Sequence, residues 1–323
     1  MEMKLVENIA ISVVVPVYNE EECLPILRES LDEVLGRIGS DYEVVLVDDG
    51  STDSSPEIIR KFAEEDPRWR GIFLARSFGQ QAAISAGLDA VRKRIVVVMD
   101  ADLQDPPEEI PNLLAKLKEG YDIVYARRAS RREGFLKRAA YKTFYRLLSG
   151  IANIDIPPDA GDFTCMRRSV VEAMKQLPER NRFVRGLRAW VGFRQAGIDV
   201  HRRKRAAGRN KYTFRKLLRL AADAIFSFSW VPLRVVSVVG TSCVLASFVY
   251  LAVIIVMRLA GRIPPGLSGW TTTIFLIIAF GGMTLTALGI IGEYIGRIYD
   301  EVKQRPIYIV ASTTESKEPK KRP

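Results

Sequence analysis

The sequence predicts an α/β fold built on a mainly parallel sheet with helices on both faces. Three observations predict it. Short runs of apolar, largely β-branched residues recur along the first half of the chain, and segments with apolar residues at helical spacing separate them. Parallel neighbours need crossover connections, which helices supply, so this alternation reads as a parallel sheet. Each apolar run also ends in a polar, often acidic cluster. Ligands of such sheets bind beyond the carboxyl ends of the strands, so those clusters point to one shared site.

Taken in order, residues 9–17 are a β-branched run that passes through Pro16 into Tyr18-Asn19-Glu20, a buried strand and its loop. Leu24, Leu27, Leu31, Val34, Leu35 and Ile38 then recur at helical spacing. Residues 42–47 are a second buried strand running directly into Asp48-Asp49-Gly50-Ser51-Thr52-Asp53. Ser54 or Ser55 caps the next helix, which carries Ile58, Ile59 and Phe62 and tolerates Pro56 in its first turn. Residues 71–75 read as a short strand, residues 83–91 as a helix of small residues, and residues 95–99 as an apolar strand that delivers Asp100-Ala101-Asp102. A helix with Ile110, Leu113, Leu114 and Leu117 follows, and residues 122–125 are the next strand.

Beyond residue 200 the character changes. Residues 201–216 are dense in Arg and Lys, and residues 212–230 read as an amphipathic helix with Phe214, Leu217, Leu218 and Phe226 among basic residues. Residues 235–257 and 270–292 then carry no charged side chain. At ~1.5 Å rise per residue each run is long enough to cross a ~30 Å hydrocarbon core. Arg and Lys crowd the segments before the first run and after the second, whereas the segment between them holds only Arg258 and Arg262. That bias places both termini on the cytoplasmic side. Gly281, Gly282 and Gly289 offer a small-residue face where spans could pack, within one chain or between two. The final dozen residues are polar and charged and read as a disordered tail. The first eight, short and charged, do not read as a cleavable signal.

The net charge of +10, from 48 basic and 38 acidic residues, suits an anionic partner: phosphate, anionic lipid or nucleic acid. The acidic strand ends count against nucleic acid, whose phosphates they would repel. Cys23, Cys165 and Cys243 are odd in number and far apart, which indicates neither a disulfide framework nor a zinc site. His201, the sole histidine, cannot make a metal site by itself and reads as an ordinary strand or surface residue. No G-x-G-x-x-G follows the first strand and no G-x-x-x-x-G-K-[ST] occurs, which disfavours a dinucleotide site and excludes a P-loop at motif level.

Asp100-Ala101-Asp102 is the sharpest chemical signal. Two carboxylates one residue apart leave an apolar strand together, and holding like charges close is costly unless a cation sits between them. A hard divalent ion, Mg²⁺ or Mn²⁺, is the natural partner and can bridge to diphosphate oxygens, with Gln104 supplying a further oxygen nearby. For a lone D-x-D, an acidic turn at a helix start is the ordinary explanation. Context reverses that. Asp48, Asp49 and Asp53 form a second acidic cluster and Tyr18 with Glu20 a third polar group, more acceptors than a cation alone requires. A nucleotide uses them: ribose hydroxyls and base edges need acceptors, and a base can pack on Tyr18.

These stretches carry a resemblance. Val14-Val15-Pro16-Val17-Tyr18-Asn19-Glu20, Val47-Asp48-Asp49-Gly50-Ser51-Thr52-Asp53 and Asp100-Ala101-Asp102-Leu103-Gln104-Asp105-Pro106-Pro107 are similar to the inverting family 2 glycosyltransferases of the GT-A fold, and Phe78-Gly79-Gln80-Gln81 fits the same group. Within it, over residues 9–300, the chain resembles the polyprenyl-phosphate glycosyltransferases, the dolichol-phosphate mannose synthase-like branch. Its two apolar runs resemble the bacterial undecaprenyl-phosphate members of the glucosyl and aminoarabinosyl type.

The resemblance implies a Rossmann-like GT-A domain over residues 1–208, amphipathic interfacial helices over 209–231, two transmembrane helices over 232–300 and a cytoplasmic tail over 301–323, all at the inner cell membrane. It implies that Asp49 binds the nucleoside with Pro16, Tyr18 and Glu20 beside it. Asp100, Ala101, Asp102 and Gln104 would meet the diphosphate, and Asp100, Asp102 and Gln104 would hold the metal. Arg127 or Arg128, then Arg209 and Lys211 of Gly208-Arg209-Asn210-Lys211-Tyr212, would contact phosphate. Asp159-Ala160-Gly161-Asp162-Phe163 matches the family's acceptor-side loop, which makes Asp159 and Asp162, beside Asp102, candidate catalytic carboxylates. The Gln-x-x-Arg-Trp motif of processive synthases is missing; Arg185-Gly186-Leu187-Arg188-Ala189-Trp190 is a distant echo.

The expected reaction is metal-dependent, inverting transfer of one sugar to a polyprenyl phosphate. Glucose from UDP-glucose leads the donors, ahead of mannose or an aminosugar. With a second pKa near ~6, a lipid phosphate is largely dianionic at neutral pH and needs no strong general base. A processive polysaccharide synthase is the second enzyme reading. A non-catalytic, membrane-tethered lipid- or nucleic-acid-binding protein is the reading from another class.

Overall fold

The first apolar run folds as β1 (Ile11–Val17), which is buried along almost its whole length. A strand apolar on both faces belongs inside a parallel sheet, and β1 pairs in parallel with β2 (Tyr42–Asp48) on one side and β4 (Ile95–Val98) on the other. The computed structural model describes residues 10–39, 41–128, 160–177, 179, 182, 184–201, 231–260 and 270–315, with some side chains of the long C-terminal helices left undescribed. The chain divides into two units: a sheet unit, to which the residues from 305 onward belong, and a helical unit.

In the sheet unit, α1 (Leu24–Ile38) buries Leu24, Leu27, Leu31, Val34, Leu35 and Ile38 on one stripe, the spacing of an amphipathic helix. Next come α2 (Ser55–Glu65), β3 (Trp69–Leu74), α3 (Gln80–Ala90) and β4. A 3₁₀ turn at Pro107–Glu109 leads into α4 (Ile110–Lys118) and β5 (Ile123–Arg128). Then β6 (Ala160–Arg167), α5 (Arg168–Lys175), α6 (Val184–Trp190) and β7 (Gln195–Val200) complete the stretch. With β8 (Val310–Thr313) the described strands form one sheet in the order β7-β5-β6-β4-β1-β2-β3-β8. The run β4-β1-β2-β3 is parallel, as expected; β6 and β8 are antiparallel to their neighbours.

Two features depart from the expectation. The antiparallel β6 inserts between β4 and β5, where no strand was expected. The segment read as a cytoplasmic tail, 301–323, contains β8, which adds to the edge of β3 and whose last two residues open the stretch read as disordered. Cys23, Cys165 and Cys243 are free thiols, and His201 lies exposed just after β7. Within β2 the buried Glu43 carboxylate accepts hydrogen bonds from Ser12 Oγ, Arg92 N and Arg70 Nη1, so its burial is compensated.

Helices cover both faces. α1, α2 and α4 pack with Val13, Val15 and Leu46, whereas α3, α5 and α6 pack with Val14, Val45, Val96 and Met166. The small residues of α3 allow a close approach: a Cβ on Gly87 would lie 2.3 Å from Val14 Cγ1 and 3.2 Å from Val47 Cγ2. Alanine at a mid-helix glycine ordinarily gains about 1 kcal/mol, but overpacking a rigid core costs about 1–3 kcal/mol. Both valines are fully buried and β-branched, so the steric effect wins. Gly87→Ala is expected to lower the thermal unfolding midpoint; a raised midpoint would mean that α3 moves outward without cost.

The helical unit contains α7 (Val231–Leu259) and α8 (Trp270–Val302), which pack against each other. Three of their hydroxyls bond back within the helices: Ser237 Oγ donates to Leu233 O, Thr284 Oγ1 to Phe280 O and Thr286 Oγ1 to Gly282 O. Large apolar side chains stay exposed, among them Leu245, Phe248 and Val249 on α7 and Ile277 and Leu285 on α8. Gly281, Gly282 and Gly289 face open space. Among the described residues no helix is long and apolar enough to cross a membrane. The expected interfacial helices at 209–231 lie outside the described residues, apart from Val231 at the start of α7.

Candidate active site

The carboxyl ends of β4, β1 and β2 are neighbours, so the three polar clusters share one end of the sheet. The loops after β1 and β2 are stitched together. Asn19 N donates to Ser51 Oγ at 2.9 Å, and Thr52 N to Asn19 Oδ1 at 2.8 Å. Glu20 N donates to Ser55 Oγ at 3.1 Å, Ser54 N to Glu21 Oε2 at 2.9 Å, and Glu21 N to Asp53 Oδ2 at 3.2 Å. Ser54 takes the N-cap position of α2, as expected, but makes no cap bond through its side chain; Asp53 Oδ1 accepts from Ser55 N. Asn19 holds φ 55°, a left-handed conformation that Asn tolerates. Tyr18 is 42% exposed and presents its ring at this end of β1.

Asp48 and Asp49 divide their work. Asp48 is buried and accepts from Ser51 N; burial pushes its carboxyl up, against the bonds from Ser51 and Gly50. Asp49 reaches to the loop between β3 and α3. Its oxygens accept from Ser77 Oγ at 2.8 Å, Phe78 N at 2.7 Å and Gly79 N at 2.9 Å. The first amides before a helix are donors without helical partners, and a carboxylate there satisfies them. Gly50 makes the approach possible: at φ +70°, a Cβ would lie 2.7 Å from Arg76 C and Ser77 N.

Asp100-Ala101-Asp102 leaves β4 beside these loops. Gln80 Nε2, in the first turn of α3, donates to Asp100 Oδ1 at 2.8 Å. Asp102 is 6% exposed, and its Oδ1 accepts from Gln104 N at 3.1 Å. Between them Leu103 is buried at φ 56°. A branched residue in that region is strained by about 1–3 kcal/mol, a cost typical of functional loops. Among the described residues no three His, Cys, Asp or Glu side chains form a group that could hold a metal by themselves. Two carboxylates and the Gln104 amide are still the oxygen donors a hard ion takes, with water or substrate oxygens completing the shell. The residues present fit a divalent cation held jointly with a diphosphate.

Across from β4, the antiparallel register pairs Val97 with Cys165 and Val98 with Thr164. Continuing that ladder sets Asp162, near the start of β6, opposite the Asp100 end. Arg185 of α6 grips Asp162 in parallel bonds, Nε to Oδ1 and Nη2 to Oδ2, both 2.7 Å, the bidentate geometry suited to carboxylate. One helical turn on, Arg188 is 3% exposed, donates to Thr164 Oγ1 and lies 5.5 Å from the centre of the Tyr125 ring. Burial lowers its pKa to about 10, Asp162 opposing that shift and Arg185 adding to it; the group remains a cation at neutral pH. Gln81 Oε1 accepts from Val184 N at 2.9 Å, which ties the start of α6 to the start of α3.

The structure thus brings Tyr18, Asp49, Asp100, Asp102 and Asp162 to one end of the sheet, with Pro16 in β1 and Ala101 and Gln104 in the same strand-end segments. Arg127 pairs with Asp199 of β7, Nε to Oδ1 at 2.6 Å. Arg128 ends β5, its side chain outside the described residues, and Asp159, Arg209 and Lys211 lie outside them altogether. Sequence reading placed Phe78-Gly79-Gln80-Gln81 in the family pattern without a role, missed Thr164 and the clamp on Asp49 that Ser77, Phe78 and Gly79 make, and saw Arg185 and Arg188 only as a distant echo. Their spacing of three residues on one helix face was the available signal.

The pattern of glycosyl transferase family 2 matches residues 12–174, from β1 into α5. The chain belongs to that family. Every strand-end cluster above falls within the matched residues, so this family 2 glycosyltransferase has its family match and its candidate site on the same stretch of chain. It is 46% identical over 304 residues to the uncharacterised glycosyltransferase YkcC of Bacillus subtilis, covering 94% of each chain. It is 41% identical over 301 residues to the SfII prophage-derived bactoprenol glucosyl transferase of Shigella flexneri, covering 93% of this chain and 97% of that one. It is 38% identical over 316 residues to the undecaprenyl-phosphate 4-deoxy-4-formamido-L-arabinose transferase of Proteus mirabilis, covering 96% of each.

Proposed function

We propose that this glycosyltransferase moves a single sugar from a nucleotide diphosphate sugar, UDP-glucose first among the donors, onto a polyprenyl phosphate at the cytoplasmic face of the inner membrane. The observation that carries the reading is the set of adjacent strand ends on β4, β1 and β2, with Asp162 opposite the first. Tyr18 offers a ring face to a base, and Asp100, Asp102 and Gln104 would hold Mg²⁺ or Mn²⁺ against the diphosphate. When bound, such an ion neutralises the charge that grows on the departing diphosphate.

The acceptor side fits a phosphate nucleophile. A dianionic phosphate attacks without a strong base, and Asp162 gives both oxygens to Arg185, which suits a carboxylate that orients neighbouring groups. In-line attack inverts the anomeric carbon. The lipid is supported by the full-length similarity to relatives whose names specify bactoprenol and undecaprenyl phosphate. Membrane attachment through residues 235–257 and 270–292, with both termini cytoplasmic, is supported by two uncharged runs, their basic flanks and exposed apolar side chains on α7 and α8.

Screening radiolabelled nucleotide sugars with undecaprenyl phosphate and Mg²⁺ or Mn²⁺ tests the reading. The expected product is one lipid carrying one sugar of inverted configuration. A retained configuration would exclude the in-line step, and a polymer would replace this reading with the processive one.

A further inference from the structure

We infer that residues 308–315, beyond the second long helix, act as a positioning element of the donor site: by adding β8 to the edge of β3 they hold the loop that Asp49 clamps. The inference rests on the reading of that loop as part of the nucleotide site.

The attachment is continuous and specific. β8 runs antiparallel to β3, with Ile72 opposite Thr313, Phe73 opposite Ser312 and Leu74 opposite Val310 across an irregularity. Main-chain bonds extend past both ends of the pairing. Thr314 N donates to Gly71 O at 3.0 Å, and Ala75 N donates to Ile309 O at 2.9 Å. Gly71 N also donates to Thr314 Oγ1 at 3.0 Å. Gly71 permits this contact, since a Cβ there would meet Thr314 Cγ2 at 2.9 Å and Ile59 Cγ2 at 2.6 Å. Side chains lock the two ends. Glu315 pairs with Arg70 at 2.9 Å and Arg92 at 2.7 Å, and Arg70 is itself anchored on buried Glu43. Tyr308 donates its hydroxyl to Asp89 Oδ2 at 2.7 Å.

The upper end of this strap lies next to the donor loop. Ala75, bonded to Ile309, directly precedes Arg76-Ser77-Phe78-Gly79. Tyr308 and Phe78 pack against the same apolar cluster of Val47, Leu74 and Ala83, and Phe78 N is a donor to Asp49. Covering an exposed edge would by itself explain a short, charged-ended strand. It would not explain bonds carried beyond the strand to the residue that opens the loop. Strand addition draws its strength from main-chain bonds and its register from side-chain locks, so β8 sets where β3 ends and the loop begins.

The test uses the full-length chain in detergent with Tyr308→Ala and Glu315→Ala combined. Binding of UDP and of GDP with Mg²⁺ is measured by calorimetry, and exchange of the Phe78 and Gly79 amides by hydrogen–deuterium exchange. The expected result is about tenfold weaker nucleotide binding and faster exchange at both amides, with the KM for lipid acceptor unchanged. A control, Glu172→Ala, removes the exposed pairing with Arg168 and Lys175 on α5 and should alter neither readout. Unchanged affinity and exchange, with only a lower unfolding midpoint, would reduce β8 to an edge cover. If the double variant does not fold, Tyr308→Phe and Glu315→Gln decide: weaker binding and faster exchange in both support the inference, and unchanged values in both overturn it. A wild-type chain that binds neither nucleotide overturns the reading of the site, while the exchange comparison still judges the strap.

Discussion

Replacing Asp102 by Asn is expected to reduce sugar transfer about 10³-fold, in line with removal of a key electrostatic contact at a reacting centre. The amide is isosteric and its oxygen can keep the bond from Gln104 N, so the Leu103 turn survives and stability should change by no more than about 1 kcal/mol. What disappears is one of two negative charges, in a buried position where screening by water is weak. That charge is what a divalent cation and its diphosphate would require from this loop. Transfer of radiolabelled sugar to undecaprenyl phosphate across a range of Mn²⁺ concentrations, beside thermal unfolding of the same preparations, checks the prediction. Activity within tenfold of the parent at every concentration would remove Asp102 from the reaction, and a large fall in midpoint would reassign it to folding.

Asp49→Asn is expected to weaken nucleotide binding about 100-fold, with a smaller effect on turnover at saturating donor. Both Asp49 oxygens accept bonds, from Ser77 Oγ, Phe78 N and Gly79 N. An asparagine presents an NH₂ group where one oxygen stood, so a donor faces a donor. Hydrogen bonds to a charged group are worth about 1.5–3 kcal/mol each, and losing the equivalent of about 3 kcal/mol corresponds to about 100-fold in affinity. The loop runs directly into Gln80, the first residue of α3, which contacts Asp100, so its release reaches the second acidic cluster. Calorimetric titration with UDP and GDP and a donor KM set against kcat distinguish this from a catalytic defect. A lowered kcat with unchanged nucleotide affinity would contradict it.

The two predictions differ in how far they were legible beforehand. Asp102 stands out in the sequence because its carboxylate pair ends an apolar strand and two further polar clusters end other strands. Asp49 was legible as an acidic strand end but not as a clamp, because Ser77, Phe78 and Gly79 supply the donors and two of the three use main-chain amides. Main-chain donors leave no mark in a sequence. Arg185 was visible as one basic residue among many, and its bidentate hold on Asp162 depends on α6 and β6 meeting.

By itself the sequence determined the parallel core of β4, β1, β2 and β3, the helix α1 with its buried stripe, and the polar clusters at the strand ends. These are local: period and composition over a dozen residues dictate them. Only the tertiary structure decided that β6 enters antiparallel beside β4, which sets Asp162 opposite Asp100, and that four residues near the far end of the chain become β8 on the edge of β3. Both rest on pairing between segments far apart in sequence. Such pairing uses the hydrogen-bonding groups every backbone carries, and a strand as short as β8 has no periodicity of its own with which to announce it.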